Sequence, residues 1–213
     1  MVIDMHNHTN VSSPCSVLYP EELIAMARLL GLDGICVTEH NVIEGAEITR
    51  EIGRKMNFPV FRGIEVGSEL GDMLVFGYYK NITPGISLEK LCELVHNAGG
   101  VVFAAHPFYR HGGWNLFSAL WKKRINLETD WEMVAELKQL DGVEIRNGSI
   151  GHEINMKAEK LAMDLNLKGI GGSDSHRAEE IATAATRFRN PIHSDSELVE
   201  ALKKGEYSAF YYR

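Results

Sequence analysis

The sequence has only three cysteines, at positions 15, 36 and 92, and no two of them form a C-x-x-C pair. Three thiols cannot all pair with one another, so no disulfide framework is implied and a reducing compartment is the expectation. No run approaches the roughly 18 apolar residues that a membrane span needs. Met1–His6 offers no cationic stretch ahead of an apolar one, so a cytoplasmic protein with no membrane partner is expected. Nor is there a surplus of cations: 22 Lys and Arg against 29 Asp and Glu give a formal charge of −7. That balance argues against a stable complex with duplex nucleic acid, which takes a concentration of Lys and Arg. A small phosphorylated substrate or a short single strand remains compatible with a locally positive pocket. No linker, repeat or low-complexity segment interrupts the chain, so residues 1–213 are read as one domain, long enough to bury a substantial core.

What the chain has in surplus is histidine, nine in 213 residues, and their positions carry the argument. Short β-type runs alternate with amphipathic stretches. Six successive strands are expected at Val2–Met5, Gly34–Thr38, Val60–Val66, Val101–Ala105, Gly142–Ile145 and Lys168–Gly172. A two-strand excursion is expected around Asp72–Tyr79, a seventh strand at Ala184–Phe188 and a terminal run at Tyr207–Tyr212. Helices are expected at Pro20–Leu30, Glu44–Met56, Ser87–Asn97, near Asp130–Gln139, at Glu153–Leu165 and at Asp195–Lys204. Strand and helix in alternation imply parallel strands with right-handed crossovers.

Metal-ligand residue types fall at the C-terminal end of each of the six strands: His6 and His8, then Glu39 and His40, Glu65, His106, Glu144, and finally Asp174 and His176. In a closed α/β barrel those ends meet on one rim, where active sites sit, whereas an open sheet would spread them along a line. Barrel closure is therefore the expectation. His6, His8, His40, Glu65, His106, Asp174 and His176 exceed what one four-coordinate ion needs, and two ions bridged by Glu65 would use them. A nitrogen and oxygen donor set without thiolate suits Zn²⁺, Mn²⁺ or Fe²⁺ in a hydrolytic site, and paired ions are the arrangement of many phosphoesterases.

Any one of these histidines is more often structural than ligating; the convergence is what distinguishes them. Asp4 is expected beneath the site, orienting a ligand imidazole or simply accepting strand-end hydrogen bonds. Glu144 reads either as a ligand or as part of a strand and turn in which Asn147 supports the pocket wall. His96, His152 and His193 read as dispensable. Beside the metals, Glu39, Arg177 and His111 are the candidates for catalytic roles. Arg177 would hold a phosphate oxygen, Glu39 would support the ligands, and His111 would lie in a lid or a plain surface loop with Phe108, Tyr109 and Trp114.

Five motifs, Asp4-Met5-His6-Asn7-His8-Thr9, Val37-Thr38-Glu39-His40-Asn41, Gly63-Ile64-Glu65, Ala105-His106-Pro107 and Gly172-Ser173-Asp174-Ser175-His176, together resemble the PHP superfamily, named for polymerase and histidinol phosphatase. The resemblance implies a distorted seven-stranded TIM-like barrel and a two- or three-metal centre that hydrolyses phosphoesters. By position His6, His8, Glu65 and Asp174 resemble the ligands of one metal, with Glu65 bridging to a second that takes His106, and His40 with His176 resemble those of a third. The chain departs from the pattern after the H-x-H pair, at Ser12–Ser16, and at Asp72–Val75, where many members carry a further ligand; water or Asp72 would complete the outer sites. Glu39 stands where an Asp is more usual. A C–N hydrolase of the amidohydrolase kind and a metal-stabilised regulatory domain without turnover are the competing readings, the first weakened because no strand end presents a lysine.

Overall fold

The computed structural model describes residues 1–109 and 135–213. Nine strands form one mixed sheet: β1 (Val2–Asp4), β2 (Gly34–His40), β3 (Val60–Ser68), β4 (Gly71–Phe76), β5 (Val101–Ala104), β6 (Gly142–Asn147), β7 (Lys168–Gly172), β8 (Ala184–Phe188) and β9 (Tyr207–Tyr211). Among the described residues five α-helices accompany them: α1 (Pro20–Leu29), α2 (Glu44–Lys55), α3 (Leu88–Asn97), α4 (His152–Asp164) and α5 (Asp195–Lys204). Each helix boundary has a local cause. Pro20 opens α1 where no amide donor is required, Ser87 caps α3 by accepting from Lys90 N at 3.3 Å, and Gly205 closes α5 in the left-handed region. Of the helix expected near Asp130–Gln139, the described part is a 3-10 turn at Ala135–Gln139. No helix among the described residues is long and apolar enough to cross a membrane.

The sheet order is β7-β6-β5-β4-β3-β2-β1-β8-β9. Six strands, β1, β2, β3, β5, β6 and β7, run in one direction and send their C-terminal ends to one rim. Two features differ from expectation. The excursion is a single strand, β4, inserted antiparallel between β3 and β5. β8 and β9 extend the sheet beyond β1 as an antiparallel pair, so the barrel is built from nine strands rather than seven.

The barrel is nearly closed, and its seam is made by side chains and single backbone bonds in place of a ladder. Thr186 Oγ1 on β8 accepts from Gly171 N at 2.8 Å and donates to Gly171 O at 3.0 Å. Asp4 Oδ1 accepts from Ser173 N at 2.8 Å, Asp174 N donates to His6 O at 2.8 Å, and Asn7 bridges to Ser175 in parallel. Gly172 permits this approach, because a Cβ there would lie 2.5 Å from His6 N. Inside, Met5, Cys36, Phe61, Leu74, Phe76 and Phe103 pack with Leu198 and Leu202 of α5, while a second apolar layer fills the space between sheet and helices. The apolar filling closes one end of the barrel and leaves the other to the ionisable residues.

The seam can be tested directly. Thr186→Val leaves a buried backbone donor and acceptor unpaired, and should cost about 1–3 kcal/mol in urea unfolding. Thr186→Ser, which keeps both bonds, should stay close to the parent; equal midpoints for all three proteins would show that Thr186 does not hold the seam.

Candidate metal centre

Glu65 comes from β3, paired across from His40 on β2 and Leu74 on β4. It is buried, and imidazoles surround its carboxylate. Oε1 lies 2.9 Å from His106 Nε2, and Oε2 lies 2.9 Å from His40 Nδ1, 3.3 Å from His8 Nε2 and 3.5 Å from His6 Nε2. Asp174 Oδ1 stands 3.5 Å and 3.4 Å from the same nitrogens of His6 and His8, and Oδ2 stands 3.8 Å from His106 Nε2. His6 Nε2 and His8 Nε2 face each other at 3.0 Å. His176 completes the cluster, its ring 4.5 Å from that of His8. The structure thus brings all seven candidate ligands into one pocket, with His40 and His176 at its half-exposed mouth.

The fit to divalent ions rests on Glu65 Oε2, a buried oxygen with no hydrogen-bond partner although three imidazole nitrogens lie close by. Atoms that crowd together without hydrogen-bond geometry aim their lone pairs at a common point. The separations of 2.9–3.5 Å around Oε2 resemble the edges of a tetrahedron with metal–ligand bonds of ~2.0–2.1 Å, which are about 3.3 Å long. Two ligands also carry unusual backbone: φ is +26° at His106 and +56° at Asp174. Non-glycine residues are held there when their surroundings fix them. His106 N donates to Glu144 Oε2 at 2.9 Å, and Asp174 N is tied to His6 O across the seam.

A second row of buried carboxylates sets the ligands' tautomers. Glu144 Oε1 can only accept, so the 3.0 Å contact with His6 Nδ1 places the proton there and leaves Nε2 bare toward the centre. Asn147 Nδ2 donates to Glu144 Oε2 at 3.0 Å and to Asp174 Oδ2 at 3.3 Å, so Glu144 supports the pocket from behind His6. Glu39 works through Ser13. It accepts from the hydroxyls of Thr9 and Ser13 and from Thr9 N, and Ser13 Oγ in turn lies 3.2 Å from His8 Nδ1. Position 13 therefore carries a support for His8 within the stretch where a further ligand was sought.

Of the two roles expected for Asp4, the structure shows the strand-end acceptor: it touches no imidazole ring of the cluster and accepts from Ser173 N, Ser173 Oγ, Ala182 N and His6 N. Its role is the seam. Arg177 is exposed on the rim beside His176, its backbone N–H donating to Glu180 Oε2. His111 and Trp114 lie outside the described residues. His96 pairs with Asp141 at 2.8 Å and His152 meets Tyr211 Oη at 3.4 Å, both away from the centre. Asp72, which carried no firm assignment, lies close to Glu65 and His106.

Burial pulls each enclosed imidazole down, but neighbouring carboxylates win at three of them. Asp174, Glu144 and Glu65 hold His6 well above its ordinary 6.5; the carboxylates of Asp174 and Glu65 lift His8 to about 9; Glu65 lifts His106 to about 9. Against their own burial, Glu65 and Asp174 are held below the usual carboxylate range, chiefly by His6. His176 is lowered, by burial and by His8.

The sign of the pH effect follows. The raised imidazoles contribute stability in full below pH 6.5, and lose it as pH rises through about 9; the depressed carboxylates contribute above their ordinary 4.5 and 3.8, and lose it on acidification. Metal uptake at pH 7 must displace the protons on His8 and His106. Calorimetric titration with Zn²⁺ in two buffers of different ionisation enthalpy should show about two or more protons released, a release that shrinks above pH 9. Heats independent of buffer would refute it. Glu144→Gln should weaken metal binding by about 10–100-fold.

A family model described as the PHP domain matches residues 4–176, and a PHP-associated model matches residues 152–207. Over 152 residues the chain is 26% identical to the uncharacterized protein MJ1587 of Methanocaldococcus jannaschii, an alignment covering 67% of this chain and 86% of that one. Among solved structures, PsfC of Pseudomonas syringae superposes with a TM-score of 0.69 at 18% identity, covering 99% of this chain and 91% of that one. A suspected metal-dependent phosphoesterase from Bifidobacterium adolescentis gives 0.64 at 19% identity, over 95% and 96% of the two chains. An amidohydrolase from Chromobacterium violaceum, with bound sulfate and no metal, gives 0.63 at 17%, over 99% and 98%. At such identities these neighbours speak to the fold, whereas the PHP model spans most of the sequence: the chain belongs to the PHP family.

Proposed function

We propose that this PHP-family, metal-dependent hydrolase is a phosphoesterase, acting on a small phosphate ester, a nucleotide or a short single-stranded oligonucleotide. The observation that carries the reading is the position of Glu65, a carboxylate shared among His6, His8, His40 and His106 with one oxygen free of hydrogen bonds. His6, His8, His40, Glu65, His106, Asp174 and His176 would hold two or three ions of Zn²⁺, Mn²⁺ or Fe²⁺. Bound there, such ions supply Lewis acidity toward a phosphoryl oxygen and lower the pKa of water.

The chain's own residues do the positioning. Glu144 and Ser13 engage Nδ1 of His6 and His8, so that Nε2 of each is the atom aimed inward. At the mouth, His176 Nδ1 faces the backbone oxygen of Asp174 at 3.0 Å, which fixes the proton on Nδ1 and leaves Nε2 as an acceptor. Glu39 has its oxygens engaged by Thr9 and Ser13, so it acts on the ligands' geometry and does not reach substrate. Arg177, exposed next to His176, would supply a cation for a non-bridging phosphate oxygen. A carboxylate rather than a lysine occupies the shared position, which favours phosphoester over C–N hydrolysis; the Bifidobacterium neighbour's description agrees with that choice, and the Chromobacterium neighbour's with the alternative.

The test is phosphate release by metal-replete protein from a panel of phosphomonoesters, nucleotides and short oligonucleotides. Glu65→Gln should lower kcat about 100-fold or more, and Arg177→Ala should raise KM about tenfold with little change in kcat. A protein that binds its ions but releases no phosphate from any of these, or that cleaves amides instead, would overturn the reading.

A further inference from the structure

One layer beyond Glu65 the wall of the barrel mouth lacks a side chain. Glu65 and Gly67 lie two residues apart on β3 and face the same way, and β4 sets Leu74 opposite the first and Asp72 opposite the second. Neither backbone nor crowding demands a glycine at 67. Its φ is not in the left-handed region, and a Cβ would stand 3.7 Å from Asp72 Oδ1, 3.8 Å from Asn41 Oδ1 and 3.9 Å from Pro84 Cβ, ordinary contact distances. Glycine inside a strand costs conformational entropy and often marks the close approach of a ligand. Here it opens onto a cleft of about 430 Å³, lined also by Ser68, Glu69, Gly71, Asp72 and Pro84, with Gly85 at an edge where a Cβ would meet nothing within 4 Å. Asp72 joins the cleft to the centre, since its carboxylate lies within 4.8 Å of ligand atoms of Glu65 and His106. The walls are pinned: Gly67 N donates to Asn41 Oδ1 at 2.9 Å, Gly85 N to Gly67 O at 2.6 Å and Glu69 N to Ile86 O at 2.9 Å. Ser68 Oγ is engaged, donating to Gly71 O at 2.6 Å and accepting from Leu70 N at 3.1 Å. Among the described residues the charged members of the lining are Glu69 and Asp72, and no Lys, Arg or His joins them.

We propose that this cleft receives the leaving group of the substrate, and that it selects a neutral, ring-sized alcohol over one carrying a second phosphate or a carboxylate. The inference rests on the phosphoesterase reading and narrows it to monoesters of uncharged alcohols. Two residues along a strand rise about 6.8 Å, so a phosphoryl group held at the Glu65 layer carries its ester substituent to the layer of Gly67. The volume is that of a small-molecule site, commonly ~300–1,000 Å³, and a surface of glycine backbone and a proline ring suits an apolar ring. Two carboxylates with no cation beside them repel a further anion. Gly67 is the residue that sets the size of the group admitted.

Two measurements test this. In the first, metal-replete protein is assayed on phenyl phosphate and para-carboxyphenyl phosphate, esters of similar size that differ by one carboxylate. The parent should prefer phenyl phosphate in kcat/KM by about tenfold or more. Gly67→Val, which fills the cleft, should lower the ratio of kcat/KM for phenyl phosphate over methyl phosphate by about tenfold, through KM. Equal kcat/KM for the two aryl esters, or a ratio unmoved by Gly67→Val, would overturn the proposal. The second measurement needs no turnover and no variant: in isotope-labelled parent protein, benzyl alcohol should shift the amide resonances of Gly67, Gly71 and Gly85, and benzoate should not. Shifts from both ligands, or from neither, count against the cleft. A protein that shows the selective shifts yet releases no phosphate keeps the neutral-ring site and loses the phosphoesterase reading, so the two failures are distinct.

Discussion

Glu65 sets the terms for this molecule: a carboxylate buried at the end of a central strand, in a position that only positive charge makes tolerable. Four imidazoles converge on it from three chain segments, and each has to arrive with a bare nitrogen for a metal or a protonated one for an ion pair. Proton and divalent ion therefore compete for the same geometry, and the centre remains charge-compensated in both conditions.

The supporting carboxylates divide that labour. Glu144 fixes the tautomer of His6 and, through the backbone amide of His106, the strained turn that carries the next ligand. Glu39 binds the 9–13 loop and reaches His8 through Ser13. Gly45 leaves room for it, since a Cβ there would come within 2.5 Å of Glu39 Oε1. Six acidic residues, Asp4, Glu39, Glu65, Glu144, Asp174 and Asp195, are buried, so a formal charge of −7 overstates how negative the surface is. At the rim itself His40 and His176 are partly exposed and Arg177 is exposed.

The helices were legible because caps and apolar spacing are local signals: α5 begins and ends where the sequence places it, α1 to α3 differ by one residue at one end, and α4 differs by one residue at each end. The clustering of the candidate ligands was legible because ionisable residues recur at one end of every parallel strand. Two other features were not. Side-chain parity assigns Asp4 and His6 to one face, but β1 ends at Asp4, so alternation does not extend to His6 and His8. The insertion of β4 between β3 and β5 depends on pairing over distance, which strand-and-helix alternation does not encode. The role of Ser13 was invisible for the same reason: a short hydroxyl side chain acquires its meaning only when Glu39 and His8 are brought to either side of it.

The first of these failures, at the end of β1, lies at the seam. β7 and β1 are joined beyond their regular strands by Asp174 N to His6 O, Ser173 to Asp4, and the Asn7–Ser175 bridge. The segments that close the barrel are thus the segments that carry His6, His8, Asp174 and His176. A seam without a continuous ladder has little backbone pairing of its own, and ligands contributed from both sides draw it together whenever positive charge sits between them. Closing the barrel and assembling the centre are consequently one structural event. The H-x-H and D-x-H motifs follow β1 and β7, so the segments that meet at the seam are the ones that bring His6, His8, Asp174 and His176 together.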